Sequence, residues 1–107
     1  MYAMATRYVI KQDKLADAHV LSKRLLPAAA VIPGLREMLN LQQDSGAGLF
    51  IMLYDSKADA ERAAPGVQLV WDQFAELYET APVGEAFNLR GRVALPRDVK
   101  PPRLKCL

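Results

Sequence analysis

Histidine and cysteine are nearly missing from this chain of 107 residues, which has His19 and Cys106 as its single examples. One cysteine cannot close an internal disulfide, and nothing in its near-terminal place points to an oxidising compartment. It stands second from the end, where the usual prenylation rule wants the fourth. One histidine with one cysteine also cannot build a zinc site of nitrogen and sulfur ligands. Long apolar runs are lacking too. The longest, Leu25 to Ile32, is interrupted by Pro27, and the opening MYAMATRYVIKQDK has no positive start followed by an apolar core, so neither a signal peptide nor a membrane span is read here. The expectation is a soluble, cytoplasmic protein without a membrane partner. A phosphate cradle is absent as well, since Gly46-Ala47-Gly48 leads into a strand and not a helix. No nucleophile with a base and no inward pair of carboxylates at helical spacing is present.

Charge of one sign is also in short supply. Fourteen basic and twelve acidic residues leave +2. The distribution is uneven: Arg90, Arg92, Arg97, Lys100, Arg103 and Lys105 against Asp98 give residues 90 to 107 a net +5, leaving −3 for the rest. That tail has no interleaved aromatics and is broken by Pro96, Pro101 and Pro102, so it reads as a solvated or partner-docked segment with no nucleic-acid partner.

What is present describes one compact core. At 51% hydrophobic and 24% charged, the chain is ordinary globular material of single-domain length. Met4 to Ile10 is a first strand, with Met4, Tyr8 and Ile10 on one side and Ala5, Arg7 and Val9 on the other. A helix follows from about Lys14, capped by Asp13, its stripe at Leu15, Ala18, Leu21, Leu25, Ala28 and Ile32. Pro27 is expected to bend or end it. Pro33-Gly34 turns into a second strand with Leu35, Leu39 and Leu41 at period two, and Asp44 to Gly48 turns into a third, Leu49 to Tyr54, apolar at every position. Asp55-Ser56 caps a second helix, with Asp59 three residues beyond Ser56. Pro65-Gly66 is expected to split this helix, whose second piece carries Val67, Val70, Trp71, Phe74, Leu77 and Tyr78 in one stripe. Glu85 to Val93 reads as a fourth strand.

The order β-α-β-β-α-β predicts an α+β, ferredoxin-like fold, with both helices on one face of a four-stranded antiparallel sheet. Residues 1–95 form the domain and 96–107 the basic tail. The other face of the sheet would expose a row from strand three, either Leu49, Ile51 and Leu53 or Phe50, Met52 and Tyr54. A second copy packed face to face would bury it, giving a homodimer with a barrel between the subunits.

In Ile32-Pro33-Gly34-Leu35, in the Asp44-Ser45-Gly46 turn, and in the run from Gly48 through Asp55-Ser56 to Ala60, the chain resembles the dimeric α/β barrel proteins of the antibiotic biosynthesis monooxygenase-like kind. The pattern spans roughly residues 4 to 90 and is specific in its middle third. The resemblance implies a pocket between the sheet and the second helix, where some relatives oxidise an aromatic polyketide with molecular oxygen and no cofactor. Under that implication Trp71, Tyr78 and Arg90 are the candidate catalytic residues: a stacking platform, a hydroxyl donor and a partner for an anionic phenolate. Asn40, Phe50, Met52, Phe74 and Asn88 are the candidate substrate contacts. The oxygenases of that kind carry an asparagine one helical turn before the tryptophan, where this chain has Val67. The haem-degrading branch needs a histidine on the second helix and an asparagine on the first strand, and this chain has neither.

Each of these residues also has an ordinary role. Trp71 and Phe74 at helical spacing suit a packed core, and Tyr78 its edge. Asn40 and Asn88 must be exposed or specifically bonded, since an unpaired buried amide costs about 1–3 kcal/mol. His19 suits a helix boundary, and Arg36, Arg90 and Arg92 suit edge or interface charges. Two functions follow: a cofactor-independent monooxygenase acting on an aromatic or polyketide-like small molecule, or a non-catalytic dimeric module that binds a small apolar molecule or serves in assembly or stress.

Overall fold

Alternating side chains in four segments and two three-to-four periodic segments produce, in a computed structural model describing residues 1–96, β1 (Tyr2–Val9), α1 (Leu15–Ala30), β2 (Leu35–Gln42), β3 (Ala47–Tyr54), α2 (Lys57–Asp72) and β4 (Val83–Asn88). The strands lie in the order β2-β3-β1-β4 with every neighbouring pair antiparallel, which is the ferredoxin-like α+β arrangement. Both cores lie on the helix face of the sheet. One gathers Tyr8, Ile10, Ala18, Phe74 and Tyr78, and the other Met52, Tyr54 and Ala60. The register pairs Ala3 with Leu53, Ala5 with Ile51 and Arg7 with Leu49 on the opposite, open face. The row of β3 on that face is therefore Leu49, Ile51 and Leu53.

The two turns that set these registers both need glycine. Gly34 has φ +79° and Gly46 φ +95°, where a side chain is strained. A Cβ at Gly34 would in addition press on the Asp59 carboxylate, which ties the turn into β2 to the start of α2. There Ser56 is the N-cap, accepting from the Asp59 amide at 3.1 Å, while its hydroxyl donates to Asp59 Oδ2 at 2.9 Å.

Several local expectations are corrected. Asp13 lies inside a 3-10 turn, Gln12–Lys14, and α1 begins without a side-chain cap. Pro27 sits within α1, which continues to Ala30. Pro65-Gly66 does not split the second helix: α2 runs through both to Asp72. Pro65 and Glu61, whose carbonyl loses its partner, are both exposed, so water can satisfy that group. Tyr78 lies beyond α2, after a 3-10 turn at Ala75–Leu77, where it bridges to Ile10. Leu35 does not share a face with Leu39 and Leu41, because the register slips between Leu35 and Glu37 and leaves Leu35 against Tyr54. A bulge of this kind adds one residue to one strand and so flips the alternation. The fourth strand ends at Asn88, short of Val93.

The chain after β4 does not leave the body at once. The Leu89 amide donates to the Met1 carbonyl at 3.0 Å, and Arg92 meets Glu37 on β2 as an ion contact without an aligned hydrogen bond. Since β4 and β2 are opposite edges, this segment crosses the open face. Ala3 and Leu53 in that row are buried, whereas Leu39, Leu41 and Val83 stay exposed. The expected tail lies, from residue 97 on, outside the described residues.

Candidate functional site

Trp71, one residue before the end of α2, projects into a cluster of aromatic rings under the helices. Its ring centroid is 5.4 Å from that of Phe50 in an edge-to-face contact, and 6.1, 6.4 and 6.5 Å from Tyr78, Phe74 and Tyr8. Such pairs are worth about 0.5–1.5 kcal/mol each beyond their burial. The cluster does not fill the space. Trp71, Val67, Met52 and Tyr78 form a partition with a cavity on each side.

The cavity on the α1 side, about 370 Å³, is walled by Phe50, Trp71, Phe74, Leu25 and Ile32, with Tyr8, Asn40 and Gln42 on its sheet side and His19, Ser22 and Lys23 from α1. The cleft on the α2 side, about 740 Å³, lies over β1 and β4, which contribute Tyr2, Met4 and Thr6 from the one and Gly84 and Ala86 from the other. The charges differ in sign. The first contains no carboxylate and has Lys23 as its permanent charge, whereas the second is bordered by Glu61, Asp72 and Glu79 with no lysine or arginine.

Tyr8 owes its position to register. It stands opposite Gly48, which in turn faces Gln42, and a Cβ at Gly48 would overlap the phenol ring. With only hydrogen there, the ring lies across β3 and reaches β2. Its hydroxyl donates to Asn40 Oδ1 at 2.6 Å and accepts from Gln42 Nε2 at 3.5 Å. Burial raises the Tyr8 hydroxyl above its ordinary pKa despite its bonds with Gln42 and Asn40, and burial with Tyr8 nearby raises Tyr78 further. Both are protonated at neutral pH, so each hydroxyl has a hydrogen to donate.

Six of the eight residues singled out from the sequence therefore line one cavity: Trp71, Tyr78, Asn40, Phe50, Met52 and Phe74. Asn88 and Arg90 are exposed at and beyond the end of β4, and neither is among the residues lining the cavities. Sequence reasoning passed over Tyr8 and Gln42. The available signal was Tyr8 on the side of strand one shared with Met4 and Ile10, but only the pairing across Gly48 reveals its reach. Among the described residues no three His, Cys, Asp or Glu side chains converge as a metal site would need.

No protein-family model matches the sequence, and no curated protein matches it significantly. Solved structures do. A candidate antibiotic biosynthesis monooxygenase from Nitrosomonas europaea superposes with a TM-score of 0.73 at 19% identity, covering 85% of this chain and 100% of its own. The protein Rv0793 of Mycobacterium tuberculosis gives 0.70 at 16% identity over 87% and 98% of the two chains. A further structure, an antibiotic biosynthesis monooxygenase, gives 0.69 at 14% identity over 90% and 100%. The chain has the fold of the antibiotic biosynthesis monooxygenase-like proteins.

Proposed function

We propose that this chain, with the fold of the antibiotic biosynthesis monooxygenase-like proteins, binds a flat aromatic or polyketide-like small molecule beside Trp71 and oxidises it without a cofactor, working as a homodimer joined through the open sheet face. The observation that carries the reading is the convergence of Trp71, Tyr78, Phe50, Phe74 and Asn40 on one apolar cavity with a few polar groups, the usual make-up of a small-molecule site. Neighbours in structure that are named as monooxygenases support the reaction class. In such a reaction the substrate supplies all four electrons that reduce O2. For an anthrone, the ring CH2 becomes a carbonyl, one oxygen atom of O2 is retained there, and the other leaves as water.

The protein's part is shape and hydrogen bonding. Trp71 and Phe74 hold the ring plane, and the neutral Tyr78 and Tyr8 hydroxyls face the developing oxyanion or its amide partners. Arg90 and Asn88 would act only after a movement that brings the end of β4 inward. The test is oxygen consumption with an anthrone or hydroquinone panel in the presence of chelator. Turnover lowered tenfold or more in Tyr78→Phe supports the oxygenase; binding without oxygen uptake across the panel rejects it.

One observation favours the non-catalytic alternative. Val67 lines both cavities where related oxygenases are expected to have asparagine, so an apolar group faces the ligand at that place. A dimeric binding module needs nothing more than the cavity.

A further inference from the structure

We infer that the α1-side cavity is selective for aromatic ligands bearing an anionic oxygen, a carboxylate or phenolate, and that Asn40 and Gln42 receive that oxygen while Tyr8 positions them. The inference rests on the ligand-binding reading of this cavity and adds the chemistry of its head-group site.

Three observations converge on it. The Tyr8 hydroxyl uses its hydrogen on Asn40 Oδ1, which leaves the Asn40 amide nitrogen, with its two hydrogens, as the unused end of that side chain. Gln42 gives one amide hydrogen to Tyr8 and keeps the other. Asn40 and Gln42 line the cavity and are exposed, with no other side-chain partner among the described residues. The unused capacity of the group is thus mainly donor capacity, which suits an acceptor. Next, the field has one sign: Lys23 borders this cavity with no carboxylate, and the acidic residues Glu61, Asp72 and Glu79 lie on the far side of the Trp71 partition. An anion is welcomed on one side of that tryptophan and opposed on the other. Finally, the arrangement is built. Tyr8 reaches β2 only because Gly48 lacks a side chain, so three strands cooperate to fix the two amides.

Ring and head group then divide the recognition. The aromatic walls accept any flat ring of suitable size, and the amide pair discriminates by charge. Hydrogen bonds to a charged partner are the stronger kind and carry about tenfold or more in affinity.

Calorimetric titration of the full chain with 2-naphthoate, 2-naphthamide and 2-naphthylmethylammonium reads this directly, because the three share a ring and differ in charge. The expected order is naphthoate tightest by about tenfold over the amide, and the ammonium weakest. Asn40→Asp, near-isosteric at an exposed position, should reduce naphthoate affinity at least tenfold and change the naphthamide by less than about threefold. Gln42→Leu should give a smaller loss of the same kind, with both variants checked for unchanged circular dichroism. Equal binding of all three probes by the parent chain, or a naphthoate preference that survives Asn40→Asp, would overturn the head-group assignment while leaving the cavity a ligand site. Binding of none of the three would reject the cavity reading itself, and this inference with it.

Discussion

The two faces of one sheet are built from different chemistry. Under the helices β1 and β3 present Met4, Tyr8, Phe50, Met52 and Tyr54, large and partly polar side chains that pack among aromatic rings and leave cavities. On the open face the same strands, with their neighbours, present aliphatic residues, of which Leu39, Leu41 and Val83 are exposed and Ala5, Leu49 and Ile51 half-buried. That face also has Arg7, Glu37 and Glu85 among its aliphatic residues, and an aliphatic patch with a few charges suits a contact with another protein surface. A face of aromatics with hydroxyl and amide tips suits a small molecule. Under the proposed function, the sheet would separate assembly from ligand binding by a single pleat, one residue to the next.

The largest test of this comparison uses two adjacent residues. Met52 is 6% exposed on the helix face, so Met52→Lys should unfold the domain, since an unpaired buried ammonium costs several kcal/mol. Ile51 lies on the open face, and Ile51→Lys should leave the melting temperature of the subunit near its own while preventing dimerisation, measured by sedimentation at micromolar concentration. A stable interface buries roughly 800 Å² per partner, and this face is the apolar surface that offers it. A parent chain that sediments as a monomer would break the assembly half of the comparison.

The open face is already partly occupied by the segment after β4, anchored by Arg92 on Glu37. Arg92→Ala leaves the Glu37 carboxylate, one oxygen of which is buried, without its cation. A loss of at most about 1 kcal/mol in denaturant unfolding is expected, the scale of a half-exposed ion pair. A change within error would show that the crossing is held by backbone contacts such as Leu89 to Met1 alone.

Trp71→Phe probes the helix face from inside. The ring borders open space on both sides, so the stability loss should be about 1 kcal/mol, below the 3–5 of a full truncation in a packed core. Ligand affinity should fall much further, read by calorimetry with a flat aromatic probe. A large stability loss with unchanged affinity would make Trp71 a packing residue, the ordinary role its helical spacing also suits.

The fold was readable because its signals are local. The apolar β3, the Ser56 and Asp59 cap and the Pro33-Gly34 turn each lie within a few residues of what they control. What was hidden is cross-strand geometry. The bulge after Leu35 gives no composition cue, and the bond from Tyr8 to Asn40 joins residues 32 apart through a gap left by Gly48. Pro65-Gly66 misled for the reverse reason: a strong local breaker was overridden in an exposed helix whose other face is held by Ala60, Val67 and Trp71. Trp71 and Phe74 were legible as a stripe, but whether the stripe borders a cavity depends on what stands opposite.

The smallest expected effect concerns what holds the helix over the sheet. Asp59 accepts from the Ser56 hydroxyl and from Arg62 at the start of α2, and its pKa is lowered, first by the bond from Ser56, then by Arg62 and by the charge of Arg36. A carboxyl with a lowered folded-state value stabilises above its unfolded value of 3.8, and that contribution is lost as pH falls through the folded value. Stability should therefore be independent of this group at neutral pH and decline in the acid limb below about pH 4. Asp59→Asn removes the ionisation, so the acid limb should flatten relative to the parent, with a modest loss at pH 7. The open face contains no part of this network. Dimer dissociation, followed by sedimentation across the same range, should consequently keep the same pH dependence in parent and variant. If the substitution altered dimerisation and folding together, the two faces would not be independent, and the cap of α2 would reach through the sheet to the interface.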